Sequence, residues 1–182
     1  METYVILLRG VTPTGRNRVP MAELRGALAA AGLVEVRTYI QSGNVIALSG
    51  LARGALESLV HEVIGKSIGA DITVIARSPE QLQSALAGNP FADAEPLRLY
   101  FSLLAAQPDP ALLCRLLEMD FAPDRVAVAG DTLYTLYATR LSDSRFTNNF
   151  FERKLKVAMT TRNFNTMSRL VELSAIAATS VP

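Results

Sequence analysis

Apolar residues fall into two rhythms over the first part of the chain. Thr3 to Arg9 (TYVILLR) is a short apolar run, partly β-branched, which predicts a buried strand. A loop from Gly10 to Val19 follows. Pro20 then stands at a first helical position, Met21, Leu24, Leu28 and Ala31 recur at helical spacing, and Gly32 supplies the stop. Val34 to Ile40 and Val45 to Leu48 predict two strands joined at Gln41-Ser42-Gly43-Asn44 as a hairpin. Leu56, Leu59, Val60, Val63 and Ile64 make one face of a helix, and Asp71 to Ala76 (DITVIA) a further strand. Strand, helix, strand, strand, helix, strand is the order of a ferredoxin-like split βαβ unit, with an antiparallel sheet and both helices on one face. A crossover after the first strand makes strands one and two parallel. The end of strand one, the loop after it and the hairpin tip then share one edge of the sheet, so Arg9, Asn17, Arg18, Gln41, Ser42 and Asn44 are expected to converge.

The second half repeats the rhythm. Ser78-Pro79-Glu80-Gln81 is a helix start, and Gly88 and Pro90 end that helix. Leu97 to Leu104 predicts a strand, Asp109-Pro110 opens a helix through Leu112, Leu113, Leu116 and Leu117, and Gly130-Asp131 turns a hairpin between Arg125–Ala129 and Thr132–Tyr137. Cys114, inside that helix, is expected to be a small buried apolar residue rather than a nucleophile. Thr147 to Leu155 predicts a helix whose apolar side is Phe150, Phe151 and Leu155, and Thr160 or Thr161 caps the next, whose apolar positions are Phe164, Met167, Leu170 and Val171. The expected fold is α+β, two ferredoxin-like units, the second divergent, with a helix in place of its last strand. The expected division is 1–77 for the first unit, 78–96 for a connecting helix and junction, and 97–182 for the second unit with its C-terminal helices.

Composition narrows the class of molecule. The chain has 182 residues, 49% of them hydrophobic, enough for a globular core. The apolar run Tyr4 to Leu8 is too short for a signal peptide or a membrane span, so a cytoplasmic protein without membrane association is expected. With His61 the only histidine and Cys114 the only cysteine, an internal disulfide is impossible, and metal, cofactor and thiol chemistry are disfavoured. Net charge is +1, which argues against a generally basic nucleic-acid protein. The charge is uneven: residues 140 to 169 hold seven basic against two acidic side chains, about +5 locally. Such a run is either a solvated face or an anion-attracting surface.

The densest polar stretch is Thr147 to Leu170. Arg162 is expected in the first turn of the last helix, where a cation opposes the helix dipole by about 0.3–1 kcal/mol. An internal carboxylate would answer it, and so would a bound phosphate or carboxylate using first-turn N–H groups and the Thr160 and Thr161 hydroxyls. Asn163, Asn165 and Thr166 add neutral donors and acceptors, and Lys154 and Lys156 add charge. Asparagine is poor inside a helix, so this first turn is either capping structure or binding surface.

Three blocks, RGVTPTGRNRVPMAELR, RTYIQSGNVI and TNNFFERKLKVAMTTRNFNT, resemble in that order the signatures of the bacterial family catalogued as domain of unknown function 1697. The resemblance covers nearly the whole chain. It implies an α+β protein built on ferredoxin-like units, with no established biochemical role. The polar positions that match are Arg9, Gly10, Gly15, Asn17, Tyr39, Gln41, Ser42, Gly43, Asn44, Ser144, Lys154, Thr161, Arg162, Asn163, Asn165 and Thr166. The family's usual isoleucine, asparagine, valine, glycine, glycine run is here Val11, Thr12, Pro13, Thr14 and Gly15, a stiffer loop, and its usual tryptophan is Phe164.

The leading functional expectation is a site for a small anionic ligand, phosphate- or nucleotide-containing, between the Arg9/Gln41 edge and the Arg162 corner. Its residues are Arg9, Asn17, Arg18, Tyr39, Gln41, Ser42, Asn44, Lys154, Thr161, Arg162, Asn163 and Asn165. Lys154, Tyr39 or a water on Asn163 are the available proton-handling groups, and no spacing names a reaction. The alternatives are a nucleic-acid-binding module, disfavoured by the charge and the absence of Trp, and a protein-interaction domain. The oligomeric state is not determined.

Overall fold

A computed structural model describes residues 1–179. The chain divides into two compact units, residues 1–83 with the stretch from Arg169 onward, and Ser84–Ser168.

The first unit runs β1 (Glu2–Leu8), α1 (Met21–Ala30), β2 (Val34–Tyr39), β3 (Asn44–Ser49), α2 (Arg53–Ser67) and β4 (Val74–Arg77). Its four strands pair antiparallel in the order β2-β3-β1-β4. The central β1 is buried from Thr3 to Leu8 on both faces, which is why it reads as a continuous apolar run rather than an alternating one. Tyr4, Ile6 and Leu8 point to the helix side, where they meet Met21, Leu24 and Leu28 of α1 and Leu56, Val60 and Ile64 of α2 in one core. The helical residues are spaced by three or four, so each helix offers a single apolar stripe. Gly32, at φ +98°, ends the chain's exit from α1 in the left-handed form a side chain resists.

Next comes α3 (Pro79–Ala87), opened by a reciprocal cap in which the Gln81 N–H donates to Ser78 Oγ and the Ser78 N–H to Gln81 Oε1. The second unit then runs β5 (Leu99–Leu104), α4 (Pro110–Leu117), β6 (Arg125–Ala129), β7 (Thr132–Leu136), α5 (Asn148–Leu155) and β8 (Met159–Asn163). Asp109 Oδ1 caps α4 by accepting from the Ala111 and Leu112 N–H groups. The strands pair antiparallel in the order β6-β7-β5-β8, the arrangement of the first sheet. Leu104, Leu133 and Met159 from the sheet pack with Leu116, Phe121, Phe146, Phe151 and Leu155. A last helix, α6 (Phe164–Thr179), follows β8.

Two expectations are corrected. The segment around Thr160 and Thr161 is a strand and not the cap of a helix, so the second sheet keeps its fourth strand. Lys156, at φ +54°, stops α5 and reverses the chain, and residues 159–163 pair with β5 from Leu104↔Met159 to Tyr100↔Asn163. Threonine serves a cap or a strand equally well locally, and the open side of β5 decides between them. The cap of α6 is Asn163, whose Oδ1 accepts the Thr166 N–H at 2.9 Å. The other correction is Cys114, which is exposed, its thiol 3.5 Å from Glu118 Oε1. The core side of α4 is taken by Leu113 and Leu116 instead.

Candidate functional site

In the first unit the loop after β1 and the β2–β3 turn meet, as the crossover requires. The Leu8 N–H donates to Gly43 O at 2.8 Å, and Gln41 Nε2 donates to Val19 O at 2.8 Å across the two loops. Asn17 Nδ2 holds Gly10 O at 3.1 Å, and the Thr12 N–H reaches Asn17 O at 3.1 Å, closing the loop on itself. Asn44 is fully buried; its Nδ2 donates to Tyr39 O at 3.1 Å and lies 3.0 Å from Ser42 Oγ, fixing the turn that reverses β2 into β3. Asn17, Gln41, Ser42 and Asn44 therefore spend side-chain groups on loop geometry. Tyr39, half-buried, gives its carbonyl to Asn44. Arg9 is half-buried at the end of β1, with its N–H on Thr73 O at 3.0 Å.

What the folded loop presents outward is cationic. Arg16 and Arg18 are exposed, and neither makes an ion pair among the described residues. No Asp or Glu occurs between Thr3 and Ala22. Arg18 is held in place by its backbone, its N–H donating to Gly15 O at 3.2 Å and its residue bridging to Thr12. Arg16 completes the cationic tip and was not among the expected site residues, although the same run of sequence contains it.

In the second unit the amide-rich block closes a sheet edge. Strand β8 lies at the edge of its sheet. The Ala105 N–H to Ala158 O bond, 2.8 Å, sets the register so that 158, 160 and 162 turn their backbone groups to β5, and 159, 161 and 163 turn theirs outward. Helix α5 meets that outward row. Glu152 Oε1 accepts the Met159 N–H at 2.8 Å, and Asn148 Nδ2, one helical turn earlier, donates to Met159 O at 2.9 Å. The Thr161 hydroxyl donates to Asn148 Oδ1 at 2.6 Å; Ser102 Oγ, 2.7 Å away, is then the donor to Thr161. Unpaired groups on a sheet edge invite wrong pairing, so Asn148 and Glu152 have a structural return that their sequence does not announce. Asn148→Ala is expected to cost about 1–3 kcal/mol, because it strands the Met159 carbonyl and takes from the Thr161 hydroxyl one of its two partners, leaving Ser102. Thermal denaturation reads this, and a change below about 0.5 kcal/mol would show the edge to be held otherwise.

Arg162 sits on β8 opposite Phe101, only 8% exposed. One guanidinium nitrogen donates to Thr160 Oγ1 at 2.8 Å and to Thr161 O at 2.9 Å, two neutral acceptors on its own strand. Burial pushes the guanidinium down to about 10, which leaves it cationic at neutral pH. The expected placement of Arg162 on a helix dipole is thus replaced by a buried strand position. Asn163 caps α6, and Asn165 is exposed. Lys154 is exposed with its Nζ 5.8 Å from the centre of the Phe150 ring. The Tyr137 hydroxyl donates to Phe146 O at 2.8 Å, and burial raises its phenol. Among the described residues, no group of three or more His, Cys, Asp and Glu is placed to hold a metal ion. No described helix is long and apolar enough to cross a membrane. The expected residues thus form two clusters, one in each unit: Arg9 through Asn44 in the first, and Lys154 through Asn165 in the second.

A family model described as protein of unknown function (DUF1697) matches residues 1–134, which take in the loop after β1 and the β2–β3 turn. The chain belongs to that family. The structure of this DUF1697 chain is similar to that of conserved bacterial protein SP0830 from Streptococcus pneumoniae, with a TM-score of 0.74 and 20% sequence identity over 94% of this chain and 98% of that one. At that identity the likeness concerns the fold. No curated protein matches the chain.

Sequence reasoning overlooked Asn148 and Glu152 as partners of β8, and Glu57 and His61 of α2 as partners of β4. Glu57 Oε1 accepts the Ala76 N–H at 2.8 Å, and His61 Nδ1 lies 2.9 Å from Ile72 O. In both units of this DUF1697 chain, the helix before the last strand carries a polar pair four residues apart. One member is a carboxylate that takes an edge N–H, and the other approaches an edge carbonyl. The signal was available only as two polar residues beside an apolar stripe, a pattern any solvated helix shows.

Proposed function

We propose that the cationic loop of the first unit, from Gly10 to Arg18, binds a small anionic ligand of the phosphate- or nucleotide-containing class. The observation that carries the reading is the pair Arg16 and Arg18, exposed and without an ion-pair partner among the described residues, on a loop held by Asn17 and Gln41. Arg supplies several N–H donors in a planar fork suited to phosphate oxygens, and a loop fixed before binding loses less entropy on capture. Arg9, at the root of the same loop, adds to the positive field. The strand order β2-β3-β1-β4 and its repeat in the second unit support a ferredoxin-like description of both units. A cytoplasmic bacterial protein is the setting that fits this reading.

Thermal-shift and calorimetric titrations against inorganic phosphate, sugar phosphates and nucleoside phosphates test the site. At a ligand concentration of about 100 Kd, stabilisation of about 2.7 kcal/mol is expected. The gain should shrink as salt rises, because the cations are exposed. Arg16→Ala with Arg18→Ala is expected to abolish it without changing the melting point of the free protein by more than about 2–4 °C, as two surface changes of up to about 0.5 kcal/mol each sum to about 1 kcal/mol. Equal stabilisation of the double variant, or none in the natural protein at millimolar ligand, would sink the proposal.

A further inference from the structure

Strand β4 is the outer strand of the first sheet, on the side away from β2. Its register with β1 runs from Leu8↔Val74 to Val5↔Arg77, and the Arg9 N–H to Thr73 O bond shows that odd-numbered residues face β1. The backbone groups of 72, 74 and 76 therefore point outward. Glu57 takes the Ala76 N–H, and His61 sits on the Ile72 carbonyl. Between these two, the N–H and C=O of Val74 face an open groove of about 480 Å³, lined by Glu57, Ser58, His61, Glu62, Thr73 and Val74.

Two other edges contrast with this one. The outward groups of Met159 on β8 are both taken by α5. Strand β2 is interrupted by a register shift between Val34 and Arg37, has Glu35 at φ +50° and carries the Glu35–Arg37 ion pair. Bulges and charges of that kind discourage strand addition. The β4 edge has no register shift against β1, and its one charged strand residue, Arg77, is buried with its guanidinium on Ala76 O at 2.8 Å. At the floor of the groove Val74, 7% exposed, turns both of its backbone hydrogen-bonding groups outward.

The lining of the groove is acidic. Glu57 and Glu62 line it and Asp71 lies at its end, beside His61 Nε2 at 3.7 Å; Lys66 is bonded to Glu62 at 2.9 Å, and the buried Arg77 guanidinium donates to Ala76 O at 2.8 Å at the far end of β4. The Val74 side chain points to the helix side of the sheet, into the core beneath α2. A residue placed opposite Val74 on an added strand points the same way, toward Glu57 and Glu62. A second copy pairing edge to edge would bring two sets of these carboxylates together, which is repulsive.

We propose that the outer edge of β4 accepts an extended segment of a partner protein bearing lysine or arginine at alternate positions, with Val74 giving the backbone hydrogen bonds and Glu57 and Glu62 recognising the cation. With Glu57 and His61 in place, the segment gains the two bonds of Val74. If Glu57 turns from the Ala76 N–H to the incoming cation, a peptide carbonyl takes that N–H and lengthens the pairing.

A capped seven-residue peptide alternating lysine with valine, and its glutamate counterpart, are the probes. Calorimetry is expected to show the lysine peptide binding at least tenfold more tightly than the glutamate peptide. Amide exchange of Val74 followed by NMR is expected to slow at least tenfold at saturation, while that of Met159 does not change. Glu57→Gln with Glu62→Gln, which keeps an acceptor at each position, is expected to weaken binding about tenfold and retain the protection of Val74 at saturation. Absence of binding, equal affinity for the two peptides, or binding without protection of Val74 overturns the proposal. So does concentration-dependent self-association by light scattering that the lysine peptide reverses, since the occupant would then be a second copy.

Discussion

Phe151→Ala is expected to lower the stability of the second unit by about 3–5 kcal/mol, the range for removing a buried aromatic ring. Phe151 is 1% exposed, and its ring lies 5.4 Å from that of Phe150 and 6.2 Å from that of Phe121. It also ties α5 to the core that Leu104 and Met159 build from the sheet. The loss contains the transfer of the ring to water, the cavity left behind, and the ring contacts themselves, about 0.5–1.5 kcal/mol for an aromatic pair. Because Asn148 and Glu152 close β8 only while α5 is seated, the consequence reaches the sheet edge. Urea denaturation gives the energy, and amide exchange over residues 148–163 should accelerate with it. A cost below about 1 kcal/mol would mean that α5 does not carry the core of this unit.

Gly43→Ala is the second large effect, expected at about 2–5 kcal/mol. Gly43 has φ +79°, and a Cβ there would stand 2.8 Å from both Leu8 Cβ and Val11 Cγ2. The left-handed backbone contributes about 1–2 kcal/mol for an L-residue, and overpacking about 1–3 kcal/mol more. Leu8 has little room to move, being fully buried on the central strand. Gly15→Ala is the control: Gly15 has φ +82°, but a Cβ there would meet nothing within 4 Å, so it should cost about 1–2 kcal/mol from the backbone alone. Chemical denaturation of the pair separates strain from contact. Equal costs would contradict the close approach of the turn to β1, on which the convergence of the two loops rests.

These two positions show where sequence is and is not informative. Phe151 was visible as part of an apolar side with Phe150 and Leu155, because helical periodicity is local. Gly43 was visible as a turn residue, but its contact with Leu8 and Val11 joins segments more than thirty residues apart in sequence. The convergence of Gln41, Ser42 and Asn44 with the loop after β1 followed from connectivity, and the Gln41–Val19 bond bears it out. The roles of those amides did not follow. An asparagine that fixes a turn and one that binds a ligand look alike until the carbonyl it holds is known, as for Asn44 on Tyr39 and Asn17 on Gly10.

The sequence by itself determined the α+β class, the family, nearly every strand and helix of the first unit, and the repeat of that order in the second up to its last strand. Local periodicity, glycine and proline placement and capping residues carry this information, and each acts over a few residues. Tertiary structure alone decided that Met159–Asn163 is a strand, that Arg162 is buried on it, and that Cys114 faces outward. It alone gave Asn148, Glu152, Glu57 and His61 their partners on the sheet edges. The physical reason is common to all of these: an outward-facing backbone group on an edge strand exists only once the strand order is fixed, and strand order is set by pairing between distant segments.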